Sequence, residues 1–302
     1  MFTLPEIRVG ASIHHESLTI FPLFAETNGG VEYQLSDEAI GTGTVTVEEV
    51  GESGSVPHLH VENKGDARVL FIEGEELRGA KQNRVLNTSV LVAAHSKTTI
   101  PVSCVEQGRW GYRSRRFGSG DSHSSPKLRA VLKKSVSASL EFGRGFTSDQ
   151  GLVWKEVSRQ MEYLGASSPT HAMADTYETF RPRMDEFQAR LKYVEGALGL
   201  AVAVGPNVVA VDLFDKPSTC RKAWDRLLTG FVMEALEGKE EVRSATAADV
   251  EGLLCRLREA PWHEAPAVGE GEEYRVDAEH ATHASALMFG GAVVHGSAVV
   301  AV

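Results

Sequence analysis

Cysteine is scarce: the chain of 302 residues has three, Cys104, Cys220 and Cys255, odd in number and far apart. That excludes a disulfide-stapled scaffold and a paired CxxC metal site, and buried free thiols are the expectation. Long apolar runs are missing too. The least polar stretch, Ala284–Val302, is interrupted by Gly290, Gly291 and His295, so it reads as short strands rather than a membrane helix. The opening MFTLPEIRVG has no basic segment followed by an apolar core and a cleavage site, so the expected location is cytoplasmic. Also absent are GxGxxG after a strand, GxxxxGK followed by Ser or Thr, HExxH and GxSxG, which removes the familiar nucleotide, protease and hydrolase readings.

What remains is ordinary globular composition, 42% hydrophobic and 24% charged, in a chain long enough for one large domain or two moderate ones. The net charge of −10 is unevenly spread. Residues 106–145 hold nine basic side chains against three acidic ones, whereas residues 234–279 hold thirteen acidic against five basic. The acidic stretch reads as a solvated face and makes general nucleic-acid binding an unattractive reading; a local anion site stays open.

The periodicities predict an α+β fold. Leu18–Phe24, Thr44–Val50, Arg68–Ile72, Ser89–Val92 and Thr98–Val102 are β-branched or alternating, with turns at 29–30, 52–55 and 64–66. Spacing near ten residues favours an antiparallel sandwich or barrel-like part over residues 1–110. Residues 111–126, rich in Gly, Ser and Arg, read as a flexible basic loop. Residues 127–302 read as a helix-rich part, with helices at Lys127–Leu140 and after a Ser148 cap. Met173, Tyr177, Phe180, Met184, Phe187, Leu191 and Val194 form a helical seam that Pro182 should break near Arg181. A hairpin over 200–214 follows, then a helix started by Asp215 or Ser218, a helix capped by Thr246 with Asp249 and ended by Pro261, and short C-terminal strands. Cys220 and Cys255 sit in these helical patterns and are expected to be buried.

Two polar blocks stand out. Between apolar strands lies Glu73-Gly-Glu75-Glu76-Leu-Arg78-Gly-Ala-Lys81-Gln82-Asn83-Arg84, far more than the two to five residues a hairpin turn requires. A solvated loop with internal ion pairs is the plain alternative. The second block, Ser103-Cys104-Val-Glu106-Gln107-Gly-Arg109-Trp110, follows a strand whose alternation puts Cys104 and Glu106 on one face. If the strands are neighbours the blocks meet. Glu73, Glu75, Glu76 and Glu106 would then be the catalytic candidates, able to share a proton or a cation. Arg78, Lys81, Gln82, Arg84, Cys104, Gln107, Arg109 and Trp110 would bind ligand, with guanidinium forks for an anion and an aromatic ring, Trp110 or Tyr112, for stacking. His58-x-His60 puts two imidazoles on one strand face, but Glu62 comes too soon for a cupin set, and His280, His283 and His295 form only a loose group; no metal site is assigned.

The segments IEGEELRGAKQNRVLNTSVLV, IPVSCVEQGRW, SDQGLVW, VAVGPNVVAVDLFDKP and AVVHGSA, which extend over most of the chain, resemble the bacterial ARG and rhodanese-phosphatase-superfamily-associated protein domain family. ARG here denotes ADP-ribosylglycohydrolase. The resemblance implies a genomic association with ADP-ribose-processing enzymes and no defined activity, and it names no cofactor. Two functions are therefore expected of the polar blocks. One is a non-catalytic binding or regulatory module, linked to ADP-ribose or NAD metabolism, with a small anionic ligand or a protein partner. The other is an enzyme acting on ADP-ribose or a related nucleotide through the carboxylates at 73–76 and 106.

Overall fold

The computed structural model describes residues 4–26, 31–51, 54–238, 244–278 and 282–301. Alternating runs in the first third close into a six-stranded barrel in the order Ser96–Cys104, His58–Asn63, Val45–Glu49, Phe117–His123, Glu75–Gly79 and Arg84–Leu86, the last pairing back onto the first. Period two decides what fills it. Val45, Val47, Leu59, Val61, Leu77, Leu86, Ile100, Val102 and Phe117 form one buried cluster, while His58 and His60, at alternate positions, face solvent. Beside the barrel, Tyr33–Leu35, Arg68–Phe71 and Val90–Val92 form a three-stranded sheet.

The larger sheet has nine strands and joins the two ends of the chain. Leu18–Phe24 pairs with Gly199–Val204, so the N-terminal strands belong to the same sheet as the 199–214 hairpin and the strands between His263 and Val300. The fold is mixed α+β, but its sheets do not divide into a strand-rich first part and a helix-rich second part. Seven helices cover the sheets among the described residues, and none is long and apolar enough to cross a membrane.

Local signals account for most helix boundaries. Ser125 caps Pro126–Glu141, and its Oγ accepts the Leu128 N–H. The helical seam splits into Met173–Thr179 and Arg181–Arg190, with Pro182 in the first turn of the second, where its missing N–H costs nothing. Thr246 and Asp249 form a capping box on Ala247–Glu259. Helix Pro217–Glu237 touches the barrel at Gly230, where a Cβ would stand 2.4 Å from the Ser124 carbonyl oxygen, so only glycine fits.

Four expectations are corrected. The flexible loop over 111–126 is exposed at 111–116, but Phe117–His123 is a barrel strand and 122–126 are buried. Propensity gives way there because the strand closes the gap between Val45–Glu49 and Glu75–Gly79. Gly120 permits the approach, since a Cβ would lie 2.9 Å from the Glu76 carbonyl oxygen. The cap of Gln150–Tyr163 is Asp149, whose side chain accepts the Leu152 N–H; Ser148 instead bonds Ser103. Pro217–Glu237 starts at Lys216 without a side-chain cap, because Asp215 is engaged by Tyr33. Cys255 is exposed on the outer face of its helix. The turn at 29–30, residues 52–53 of the turn at 52–55, and His280 lie outside the described residues.

Candidate functional site

The two polar blocks meet at one end of the barrel because Arg84–Leu86 pairs with Ser96–Cys104, in register Cys104↔Arg84. Beyond the last pair the chains stay joined: Val105 N–H donates to Asn83 O at 3.1 Å, Asn83 N–H to Glu106 Oε2 at 3.1 Å, and Gln82 Nε2 to Glu106 O at 2.9 Å. Residues 71–92 are buried apart from Arg78 and Gly79, so this is no solvated loop. Buried polar groups on this scale require internal partners.

Strand alternation divides the site into two sides. Leu77 faces the barrel interior, so Glu76 and Arg78 face outward, where Glu76 Oε2 accepts from Arg78 Nε at 2.7 Å and Ser122 Oγ at 2.9 Å. Burial pushes the Glu76 carboxyl above its ordinary range even though Arg78 opposes it. Asn83 Nδ2 reaches Glu76 Oε1 at 3.4 Å, and Asn83 Oδ1 accepts from Arg109 Nη2 at 3.3 Å, which links this side to Glu106. Glu106 is gripped by Arg109 (2.7 and 2.6 Å) and by Thr170 Oγ1 at 2.9 Å; burial is overcome by these donors, and its pKa is held below the usual carboxylate range. Arg109 also donates to the carbonyls of Ala80, Gly79 and Gly111, so its guanidinium is committed to pinning the 79–83 turn. That turn holds Ala80 at a φ of 40°, a left-handed conformation that a non-glycine residue keeps only when its surroundings enforce it.

The other side faces the lumen. Glu49, Arg84 and Cys104 lie two residues beyond the core positions Val47, Leu86 and Val102, so alternation turns them inward at the mouth. Arg84 is fully buried; Nη1 bonds the Gln82 carbonyl at 3.0 Å, Nη2 lies 3.8 Å from Glu49 Oε1, and neither Nε nor Nη2 has a hydrogen-bond partner among the described residues. Burial lowers the pKa of Arg84 and raises that of the Cys104 thiol. Glu49 Oε1 accepts the Lys81 N–H at 3.3 Å, whereas Oε2 is buried without a donor among the described residues. Lys81 Nζ lies 5.1 Å from the ring centroids of both Trp110 and Tyr112, and Trp110 is 6.0 Å from Arg84 Cζ. Trp110 and Tyr112 are 52% and 54% exposed and form the solvent-facing rim of the mouth. Gln107 is exposed outside it.

Glu73 and Glu75 do not join this site, because strand rise of roughly 3.3 Å per residue carries them toward the other end of the barrel. Glu75 is buried with Ser36 (2.9 Å) and Arg226 (3.2 Å), and burial raises its pKa to about 7. A carboxyl with a folded pKa above its unfolded value adds stability at low pH that is lost as pH rises through the folded pKa. Stability should therefore decline by on the order of 3 kcal/mol between pH about 4.5 and 7 relative to Glu75→Gln. Urea titrations of both proteins across that window check the slope; parallel curves would refute it.

Glu73 lies in a sealed ionic cluster between barrel and large sheet. It meets Lys133 at 2.6 Å and Arg129 at 3.7 Å; burial works against its charge, but these cations hold its pKa below the ordinary range. Arg129 in turn forks onto both oxygens of Asp212 at 2.6 and 2.9 Å. Ser89 Oγ lies 2.7 Å from His295 Nδ1, and His295 Nε2 lies 3.2 Å from Asp212 Oδ1. This order imitates an acyl-transfer triad, yet Ser89 is buried and also accepts the Glu73 N–H, and Arg129 neutralises Asp212, so the chain serves as a structural tie. His123, pushed down to about 3 by burial, is a neutral imidazole here, 2.8 Å from the Glu73 carbonyl.

Sequence reading missed Glu49, Ser122 and Thr170. Glu49 had a signal, since it continues the inward alternation of Val45 and Val47. Thr170 had none: it reaches Glu106 because residues 105–108 run antiparallel to 170–173.

Neither a curated protein nor a solved structure matches the chain at a significant level. A family model, described as the ARG and Rhodanese-Phosphatase-superfamily-associated Protein domain, matches residues 6–299, a range within which the barrel mouth and the sealed cluster both lie. The chain therefore belongs to the ARG and Rhodanese-Phosphatase-superfamily-associated Protein domain family.

Proposed function

We propose that the protein is a ligand-binding module whose site is the barrel mouth and whose ligand is a small anion carrying a planar ring, such as ADP-ribose or a nucleotide. The observation that carries this reading is Arg84, a fully buried guanidinium with two donor nitrogens that make no hydrogen bond among the described residues, Nη2 standing 3.8 Å from Glu49 Oε1. A buried cation in that state costs stability, and an oxyanion supplies the missing acceptors. Half-exposed Trp110 and Tyr112 offer the ring face at the same opening. The site carboxylates support binding better than catalysis, because Glu76 and Glu106 are each held by arginines of the chain itself.

Calorimetric titration with phosphate, AMP and ADP-ribose tests the reading. Trp110→Ala should weaken AMP and ADP-ribose by about 1–3 kcal/mol, the range for stacking on an aromatic side chain, and leave phosphate unchanged. Equal loss for all three ligands would remove the ring from the proposal. Chromatography of the bound ligand separates the enzyme alternative: a module returns it intact.

A further inference from the structure

This inference rests on the mouth being a ligand site and concerns the chemistry of the ligand. Val45–Glu49 and Arg84–Leu86 stand on opposite sides of the six-stranded ring, so Glu49 and Arg84 face each other across the lumen, with Arg84 Nη2 at 3.8 Å from Glu49 Oε1. Their unused capacities differ. Arg84 presents Nε and Nη2, one edge of its guanidinium, which matches two oxygens of one oxyanion. Glu49 presents Oε2, which can only accept. A phosphate placed on Arg84 would lie beside that carboxylate, with a remaining P–OH as its one possible donor and its other oxygens repelled by the charge. A ligand that carries a hydroxyl close to its phosphate satisfies both groups at once.

We propose that the mouth selects a phosphorylated sugar, with its phosphate on the Nε–Nη2 edge of Arg84 and a sugar hydroxyl donating to Glu49 Oε2. Glu49 is then the specificity determinant and Arg84 the anchor. The direction of the strands puts any base or larger substituent outward, past Lys81 toward Trp110 and Tyr112. Hydrogen bonds to a buried charge give the site its preference, because an unpaired hydroxyl or an unpaired carboxylate is the costly outcome.

The test is a titration series on the full chain with inorganic phosphate, butyl phosphate, 2-deoxyribose 5-phosphate and ribose 5-phosphate. Ribose 5-phosphate should bind at least tenfold more tightly than butyl phosphate, which has the phosphate and carbon chain without hydroxyls. In Glu49→Leu that ratio should fall below about twofold, while inorganic phosphate binds more tightly than to the natural chain because the opposing charge is gone. Equal affinity of the natural chain for butyl phosphate and ribose 5-phosphate overturns the proposal, and this arm needs no variant to fold. A tenfold preference that survives Glu49→Leu also overturns it. If no phosphate compound binds and Arg84→Met changes nothing, the mouth itself is not a ligand site, and the inference falls with that reading.

Discussion

Glu73→Ala should destabilise the protein by about 3–5 kcal/mol, the cost of stripping one partner from a buried ion pair. Glu73 is the carboxylate that faces Lys133 and Arg129, and all three are fully buried where the barrel, the large sheet and helix Pro126–Glu141 join. Without it the Lys133 ammonium keeps, among the described residues, Ser285 Oγ at 2.6 Å, and Arg129 keeps Asp212. Glu73→Leu combined with Lys133→Met should recover most of the loss, because two apolar side chains of similar volume leave no charge uncompensated. Guanidinium denaturation of the three proteins measures this. A single variant within 1 kcal/mol of the natural chain would show that the cluster admits water and is not the seal between barrel and sheet.

Arg84→Met should separate binding from packing. Methionine keeps the length and apolar body of the side chain and removes two unsatisfied donors, but it also removes the Nη1 bond to the Gln82 carbonyl and the charge facing Glu49, so the unfolding free energy should fall by less than in Glu73→Ala. Anion affinity should fall by about 1.5–3 kcal/mol, roughly tenfold to 150-fold, the range for hydrogen bonds to charged groups. Arg109→Ala supplies the contrast: its guanidinium is spent on Glu106, Asn83 and three backbone carbonyls, so the main loss should be in stability and in the order of the 79–83 turn. Calorimetry with phosphate and thermal melts of both variants separate the two arginines. An Arg84→Met protein that binds phosphate like the natural chain would eliminate the barrel mouth as an anion site.

The barrel core was legible because alternation is enforced by a single buried lumen: Val45, Val47, Leu59, Val61, Ile100 and Val102 announce it residue by residue. Capping chemistry was legible at Thr246, where a side chain reaches only three residues along. The density of charge over 73–84 also marked the region, since no turn requires it. What the sequence did not contain was the destination of each charge. Glu73, Glu75 and Glu76 are neighbours in the chain, yet they enter three separate environments, with Lys133, Arg226 and Arg78 as partners 60, 151 and 2 residues away. Those assignments depend on which helix covers which face, and that is set by packing over long sequence separations. The same holds for Phe117–His123, poor in strand formers but required by two unpaired barrel edges, and for Leu18–Phe24, which pairs with Gly199–Val204 across most of the chain. The sequence by itself determined most of the alternating and helical segments, the Thr246–Asp249 capping box and the polar blocks, because these follow from local periodicity and short-range hydrogen bonds. Only the tertiary structure decided which sheet each strand joined, and that Arg109 is spent within the chain while Arg84 is left with donors to offer, because hydrogen-bond satisfaction in a buried site is a property of the assembled neighbourhood.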